Sequence, residues 1–426
     1  MPPVLLRPPP ARSASGVSQY RSECFFMIML GARSTISSHF DAAPIRMPSI
    51  PDTRRRWLCQ AAALLAAGGL AAAESPAQWL GRPAPELPSY YPRDYGVVFD
   101  AARREGRVTV YSTTDFAAAH PLIRAFEARY PGVTVDYREQ NSDDLYRRYL
   151  AELASGAPGA DVVWSSSMPE QFKLVNDGHA LPYASPERPY LPSWAIWKNE
   201  AYGTSYEPVV FVYNARQLPA DLVPATHADF ARILTVHRDL LRGRVASYDI
   251  EHSGSAFLFA AEDARTTPVF WDVARALGAA NVNLYITTAA MLERVASGES
   301  LLAYNVIGSY AARYADRNPA LAIKMPADYT LVATRVAFIA RRSTHPNAAR
   351  LWLDFVLSRE GQSVMANRAF LFSLRQDVET GLTAKRLLAE LGNTHRPIPV
   401  GPGLLAHQDQ LRRADFLKRW HAALGR

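Results

Sequence analysis

Three short stretches gather hydroxyl side chains where a chain could hold a small anion. They are Ser112-Thr113-Thr114-Asp115, Ser165-Ser166-Ser167 and Asp249-Ile250-Glu251-His252-Ser253-Gly254-Ser255. Each follows a short β-branched or apolar run and leads into a helical pattern, so each marks the turn from a strand into a helix. At such a turn the hydroxyls, the free backbone N–H groups and the positive helix end are placed together, which suits a phosphate or carboxylate. The same residues also suit plain helix capping. Their recurrence after three strands favours a ligand, because open α/β sheets bind at the carboxyl ends of their strands. Tyr304, Tyr310, Tyr314 and Tyr329 are either half-buried core, the lining of a cleft, or phenolate ligands of a hard cation. No Gly-x-Ser-x-Gly elbow, P-loop or dinucleotide fingerprint occurs, and the histidines lack zinc spacing.

Export is written near the N-terminus. Thr53-Arg54-Arg55-Arg56-Trp57-Leu58-Cys59, the apolar run Ala61 to Ala73 and its small-residue end are the three parts of a secretory signal. The run is shorter than the roughly 20 residues a membrane span needs. The paired arginines resemble the twin-arginine export motif, and the general secretory route stays open. Residues 47–73 are therefore the expected signal peptide. Residues 1–46, rich in Pro, Ser and Arg, read as an extension, either the product of a start codon placed too early or a disordered arm. Residues 1–73 hold eight of the 47 basic and three of the 40 acidic residues, so the expected mature chain carries a net charge of +2 rather than +7. That removes the basicity argument for nucleic acid. Both cysteines, Cys24 and Cys59, also leave with the signal, so the mature chain has no disulfide, thiolate nucleophile or thiolate ligand. A monomer is expected.

The elements that position the hydroxyl loops follow from patterning. Residues 107–112, 133–137 and 161–165 read as strands, with helices bearing Leu122, Ile123, Phe126 and then Leu145, Tyr149, Leu153 between them. This β-α-β-α-β alternation predicts a parallel sheet covered by helices. Further strands are predicted at 208–213, 244–248, 301–306 and, as a single run, 331–340. Helices are predicted after Ser253, after Thr288 and from His345-Pro346, with a last amphipathic helix within 404–426. About 350 residues is more than one hydrophobic core usually serves, so two lobes are expected. The sequence has no internal repeat.

The export signal, the strand ending in Tyr111-Ser112, the β/α units, the crossover near 205–213 and Ser358-Arg359-Glu360-Gly361-Gln362 together resemble bacterial extracellular solute-binding proteins of ABC importers. Within these the resemblance is to the branch of ferric-iron-binding and phosphosugar- or phosphoglycerate-binding proteins, over about residues 105–400. It implies an α/β type II periplasmic-binding fold, two lobes that close on a solute by hinge motion. Lobe one would comprise 74–205 plus 331–426 and lobe two 206–330, with crossings near Tyr206-Glu207 and Tyr329-Thr330. The implied role is periplasmic capture of a small anionic solute for an inner-membrane permease, without enzymatic activity or resident cofactor. His252-Ser253-Gly254-Ser255 matches the segment where ferric-binding relatives hold a phosphate or carbonate. Tyr304-Asn305-Val306-Ile307-Gly308-Ser309-Tyr310 falls where those relatives carry two adjacent tyrosine ligands of iron, a pair this chain lacks.

The expected ligand-binding set is therefore Ser112, Thr113, Thr114, Ser165, Ser166, Ser253, Gly254, Ser255, Tyr304, Asn305 and Tyr329, and the favoured solute is a phosphorylated organic anion. The alternatives are Fe3+ as cargo on Tyr304 and Tyr310, service to a membrane sensor kinase, and an exported enzyme on the same fold.

Overall fold

The computed structural model describes residues 86–426, so the expected extension and signal peptide lie outside the described residues. From Gly96 the chain alternates as the patterning predicts: α1 (Gly96–Glu105), β1 (Arg107–Ser112), α2 (Phe116–Arg129), β2 (Thr134–Glu139), α3 (Ser142–Ser155), β3 (Val162–Ser165) and α4 (Met168–Asn176). β1 lies between β2 and β3, parallel to both. Local chemistry sets the boundaries. Asn141 caps α3 by accepting from the Asp144 N–H, and Gly156 closes it at φ +70°, a conformation that favours glycine. Two short strands, β4 (Ile196–Trp197) and β5 (Ala201–Gly203), finish the first pass through lobe one.

The chain then crosses through β6 (Glu207–Asn214), a buried Val-Val-Phe-Val run. Lobe two follows with α5 (His227–Val236), β7 (Val245–Tyr248), α6 (Gly254–Thr266), α7 (Phe270–Ala279), β8 (Asn283–Tyr285), α8 (Thr288–Ser297), β9 (Leu302–Ile307), α9 (Gly308–Arg317), β10 (Leu321–Lys324) and β11 (Thr330–Ala333). The return brings β12 (Val336–Ile339), α10 (Pro346–Leu357), β13 (His395–Pro397) and α11 (Gln410–Leu424).

The sheets run β2-β1-β3-β12-β5-β4 and β13-β11-β6-β9-β7-β8, with β10 also paired to β6. In each, three parallel strands meet one antiparallel strand delivered by a crossing: β12 beside β3 and β6 beside β9. The two lobes thus share a topology that no repeat in the sequence announces. With this strand order and crossover, the α/β type II periplasmic-binding fold is the fold of the chain.

Two expectations about the lobes need correction. Leu331 to Ala340 is two strands in different sheets, β11 in lobe two and β12 in lobe one. The break falls at Thr334-Arg335, where backbone and hydroxyl groups of the two crossings bond each other. Thr204 N–H donates to the Arg335 carbonyl (2.9 Å), and Arg335 N–H donates to Ser205 Oγ (3.1 Å). The second crossing is therefore at 334–335 rather than near Tyr329-Thr330. The C-terminal stretch also divides, instead of staying with lobe one. β13 pairs with β11, and α11 lays Phe416 and Trp420 against Phe270 of α7.

The segment before α1 is fastened to lobe one by a buried carboxylate. Asp354 on α10 accepts from Tyr95 (2.5 Å), Tyr183 (2.5 Å) and Ser185 (2.6 Å) hydroxyls. Burial outweighs these donors and pushes the carboxyl up to about 7. The usual value is 3.8, so the folded state keeps a proton that the unfolded chain has lost between those two pH values. Its stabilising effect is complete below pH 3.8 and is lost as pH rises through about 7. Thermal melts of the wild-type protein should thus show a fall of up to about 4 kcal/mol across this window. Asp354→Asn, which cannot ionise, should be flatter; equal slopes would show that Asp354 does not titrate there.

Candidate functional site

Between the lobes lies a polar cleft of about 790 Å3. Its floor is where strand ends from both lobes meet: Thr113 and Ser166 from lobe one, Ser255 and Tyr310 from lobe two. The hydroxyls converge. Thr113 Oγ1 lies 3.2 Å from Ser166 Oγ, and Ser255 Oγ donates to Ser166 Oγ across the lobes at 3.4 Å. Each sits at or just before the first turn of α2, α4 or α6, where helix N–H groups have no partner within the helix. Tyr310 adds a second interlobe contact, donating to Asp115 Oδ1 at 3.1 Å. Tyr248, its hydroxyl bonded to Thr288, lines the lobe-two side. The end of β2 and the first turns of α3 form the opposite wall with Glu139, Asp143, Asp144 and Arg147; Arg147 is paired with Asp144 at 2.6 Å.

Of the residues expected to bind, Thr113, Ser166, Ser253 and Ser255 line this cleft. Ser112, Thr114 and Ser165 stand one layer behind it and shape the turns. Ser112 Oγ accepts from Thr114 N–H (3.0 Å), and Ser165 Oγ accepts from Ser167 N–H (3.1 Å) and from the Thr113 hydroxyl (3.3 Å). Gly254 lines a neighbouring hollow of about 230 Å3 with Glu170, Phe257 and Arg413. Its role is close approach of the lobes: an added Cβ would lie 2.5 Å from Ser167 Oγ and 3.0 Å from Glu170 Oε1.

Tyr304, Asn305 and Tyr329 are not on the cleft wall; they belong to a buried network. Asp263 of α6, fully buried, accepts from Tyr304 (2.9 Å), Asn305 Nδ2 (2.6 Å) and Tyr329 (2.9 Å). His227 stacks on Tyr329 with centroids 4.1 Å apart and bonds Asp328. Alternation along β9 would not direct both Tyr304 and Asn305 to one acceptor. The β6–β9 register shifts at Val210/Val212, and Asn305 takes φ +59°, a left-handed conformation that Asn tolerates better than most residues. The alternative phenolate pair for iron, Tyr304 and Tyr310, is likewise separated. Tyr304 is tied to Asp263, while Tyr310 faces the cleft. Burial, and next the Asp263 charge, hold the Tyr304 phenol well above its usual range.

Among the described residues, one group of three could meet around an ion, Asp249, Glu251 and His252 in the β7–α6 loop. Asp249 is already engaged there, bonding the Glu251 N–H and His252 Nδ1. One contributor was not visible in the sequence. Arg335, fully buried in the second crossing, donates to Thr114 Oγ1 (3.0 Å) and Glu207 Oε1 (3.1 Å) behind the floor.

Two lobes of one topology, joined by paired crossings and facing each other over a polar cleft, define a hinged binding protein. The chain belongs to the family of bacterial extracellular solute-binding proteins, whose pattern it matches over residues 121–386. It is similar to the crystal structure of the substrate-binding protein of an ABC transporter from Agrobacterium tumefaciens. That likeness is 38% identity and a TM-score of 0.71, over 75% of this chain and 94% of that one. The fold is shared with AfuA of Actinobacillus pleuropneumoniae, solved with fructose-6-phosphate bound (17% identity, TM-score 0.62, 75% of this chain and 99% of that one). It is shared too with iron-bound HitA of Pseudomonas aeruginosa (18% identity, TM-score 0.58, 74% and 99%). No curated protein matches the sequence.

Proposed function

We propose that this chain is the periplasmic solute-binding component of an ABC importer and that its solute is a small phosphorylated organic anion. The observation that carries the reading is the interlobe floor, where Thr113, Ser166 and Ser255 bring hydroxyls and helix starts from both lobes together. A cavity of about 790 Å3 is in the range that accepts an organic molecule and is far larger than a bare ion needs. The wall carboxylates Glu139 and Asp143 suit hydroxyl or amine donors on the body of such a solute. The similarity to the Agrobacterium protein, a substrate-binding protein of an ABC transporter, supports transport, with an inner-membrane permease as partner. Iron as cargo is disfavoured because Tyr304 donates to Asp263 in the core.

Calorimetry with fructose 6-phosphate, 3-phosphoglycerate and ferric citrate tests the reading. A phosphorylated compound should bind. Ser166→Ala and Ser255→Ala should each weaken it about ten- to a hundredfold, the worth of one charge-assisted hydrogen bond. Tight ferric binding that depends on Tyr310 would replace the organic anion with iron.

A further inference from the structure

Several buried polar atoms near the crossings make no well-formed hydrogen bond, among them Nη2 of Arg335, Oγ of Ser309 and Oε2 of Glu207. They are not scattered. Ser309 and Tyr310 are the second and third residues of α9, and the Arg335 guanidinium lies over the Tyr310 ring, 5.2 Å from its centroid. Arg335 is fully buried and Ser309 is 2% exposed. A buried donor without an acceptor is costly, so the open Nη2 of Arg335 and the Ser309 hydroxyl, beside a helix start, are donors that the oxygens of an anion would satisfy. Glu207 neutralises Arg335 through a single oxygen, which leaves Nη2 free of it.

We propose that the anionic end of the solute is seated at the start of α9, against the free N–H groups there, the Ser309 hydroxyl and Nη2 of Arg335. This rests on the reading of the solute as an anion and adds a subsite that the hydroxyl floor alone does not contain. Tyr310 is its gate. The Tyr310 hydroxyl is held by Asp115 of lobe one, so parting of the lobes breaks that bond and frees the ring to turn. Once the ring turns, Arg335 faces the cleft. Arg335 belongs to the crossing itself and is also bonded to Thr114 of lobe one, so an anion drawn to it is held at the hinge.

Calorimetric titrations with inorganic phosphate and with fructose 6-phosphate decide the matter. Two variants are compared with the wild type: Ser309→Ala, and Glu207→Leu with Arg335→Met, which removes the buried pair together so that no lone charge remains. Ser309→Ala should weaken both probes about tenfold, and the paired variant about a hundredfold or more. If the paired variant fails to fold, Ser309→Ala and Arg335→Lys carry the test, each expected to weaken phosphate at least about tenfold. Unchanged affinity for fructose 6-phosphate in the folded variants overturns the subsite and leaves the proposed function standing. Phosphate binding that falls in the variants, with no binding of any organic phosphate, upholds the subsite and overturns the organic solute. A wild-type protein that binds neither probe overturns both.

Discussion

Replacing Gly254 by valine should abolish solute binding while leaving the empty protein folded. Gly254 opens α6 in lobe two, and the atoms an added Cβ would strike, Ser167 Oγ and Glu170 Oε1, belong to the start of α4 in lobe one. The obstruction is thus between lobes rather than within one. Both atoms are ends of side chains, so a single methyl can be taken up by a small shift, whereas the branched valine side chain cannot. Valine would hold α6 away from α4 and break the Ser255–Ser166 contact one residue further on, at the point where the floor is assembled. With the lobes apart, the helix N-terminal contacts no longer reach one ligand, and affinity should fall more than about a hundredfold. Within lobe two the change costs little, because valine and glycine are both modest helix formers. The melting temperature of the empty protein should therefore stay within a few degrees of wild type, and Gly254→Ala should be intermediate in affinity. Wild-type affinity in the valine variant would place the solute away from this floor.

How far the sequence predicts this site depends on what kind of signal each residue leaves. Thr113, Ser166 and Ser255 were legible because residue type and position agree: hydroxyls at a strand end, before a helix. The α/β alternation up to Ser165 was legible because its periods are clean. Arg335 was not, since it interrupts one apolar run, Leu331 to Ala340, that looks like a single strand. Only the pairing of the two crossings, Thr204 and Ser205 against Thr334 and Arg335, reveals that the run changes sheets there. Tyr304 and Asn305 misled for a related reason. A bulge opposite Val210 and Val212 turns Asn305 into the core, and no local pattern in β9 marks a bulge set by its partner strand. The destination of β13 and α11 was hidden as well, because an amphipathic helix records that it packs and not on which lobe. The β2–α3 wall passed unnoticed because acidic residues in a first helical turn look like ordinary capping.

The other large effect should come from the buried network that replaced the expected tyrosine site. Asp263→Ala removes the one acceptor shared by Tyr304, Asn305 and Tyr329. The three donors would remain buried, each at a cost of about 1–3 kcal/mol when unpaired. Partial relaxation makes a total near 4 kcal/mol the reasonable expectation, at the upper end of single-substitution effects. For a mature chain of about 350 residues that lowers the melting temperature by roughly 5 °C. The loss should extend to binding, because Asn305 holds β9 in its bulged path and β9 carries Ile307 and leads into Tyr310 at the cleft. Tyr304→Phe separates the two consequences. It removes one donor and keeps the ring packed between Phe211 and Phe230, so it should cost about 1 kcal/mol and leave affinity for fructose 6-phosphate unchanged. A tyrosinate ligand of iron would behave in the opposite way, losing the metal with little change in melting. Thermal melts and calorimetry on Asp263→Ala and Tyr304→Phe together therefore test whether Tyr304 serves the lobe-two core or the solute. A Tyr304→Phe protein with unchanged stability and lost binding would return Tyr304 to the cleft.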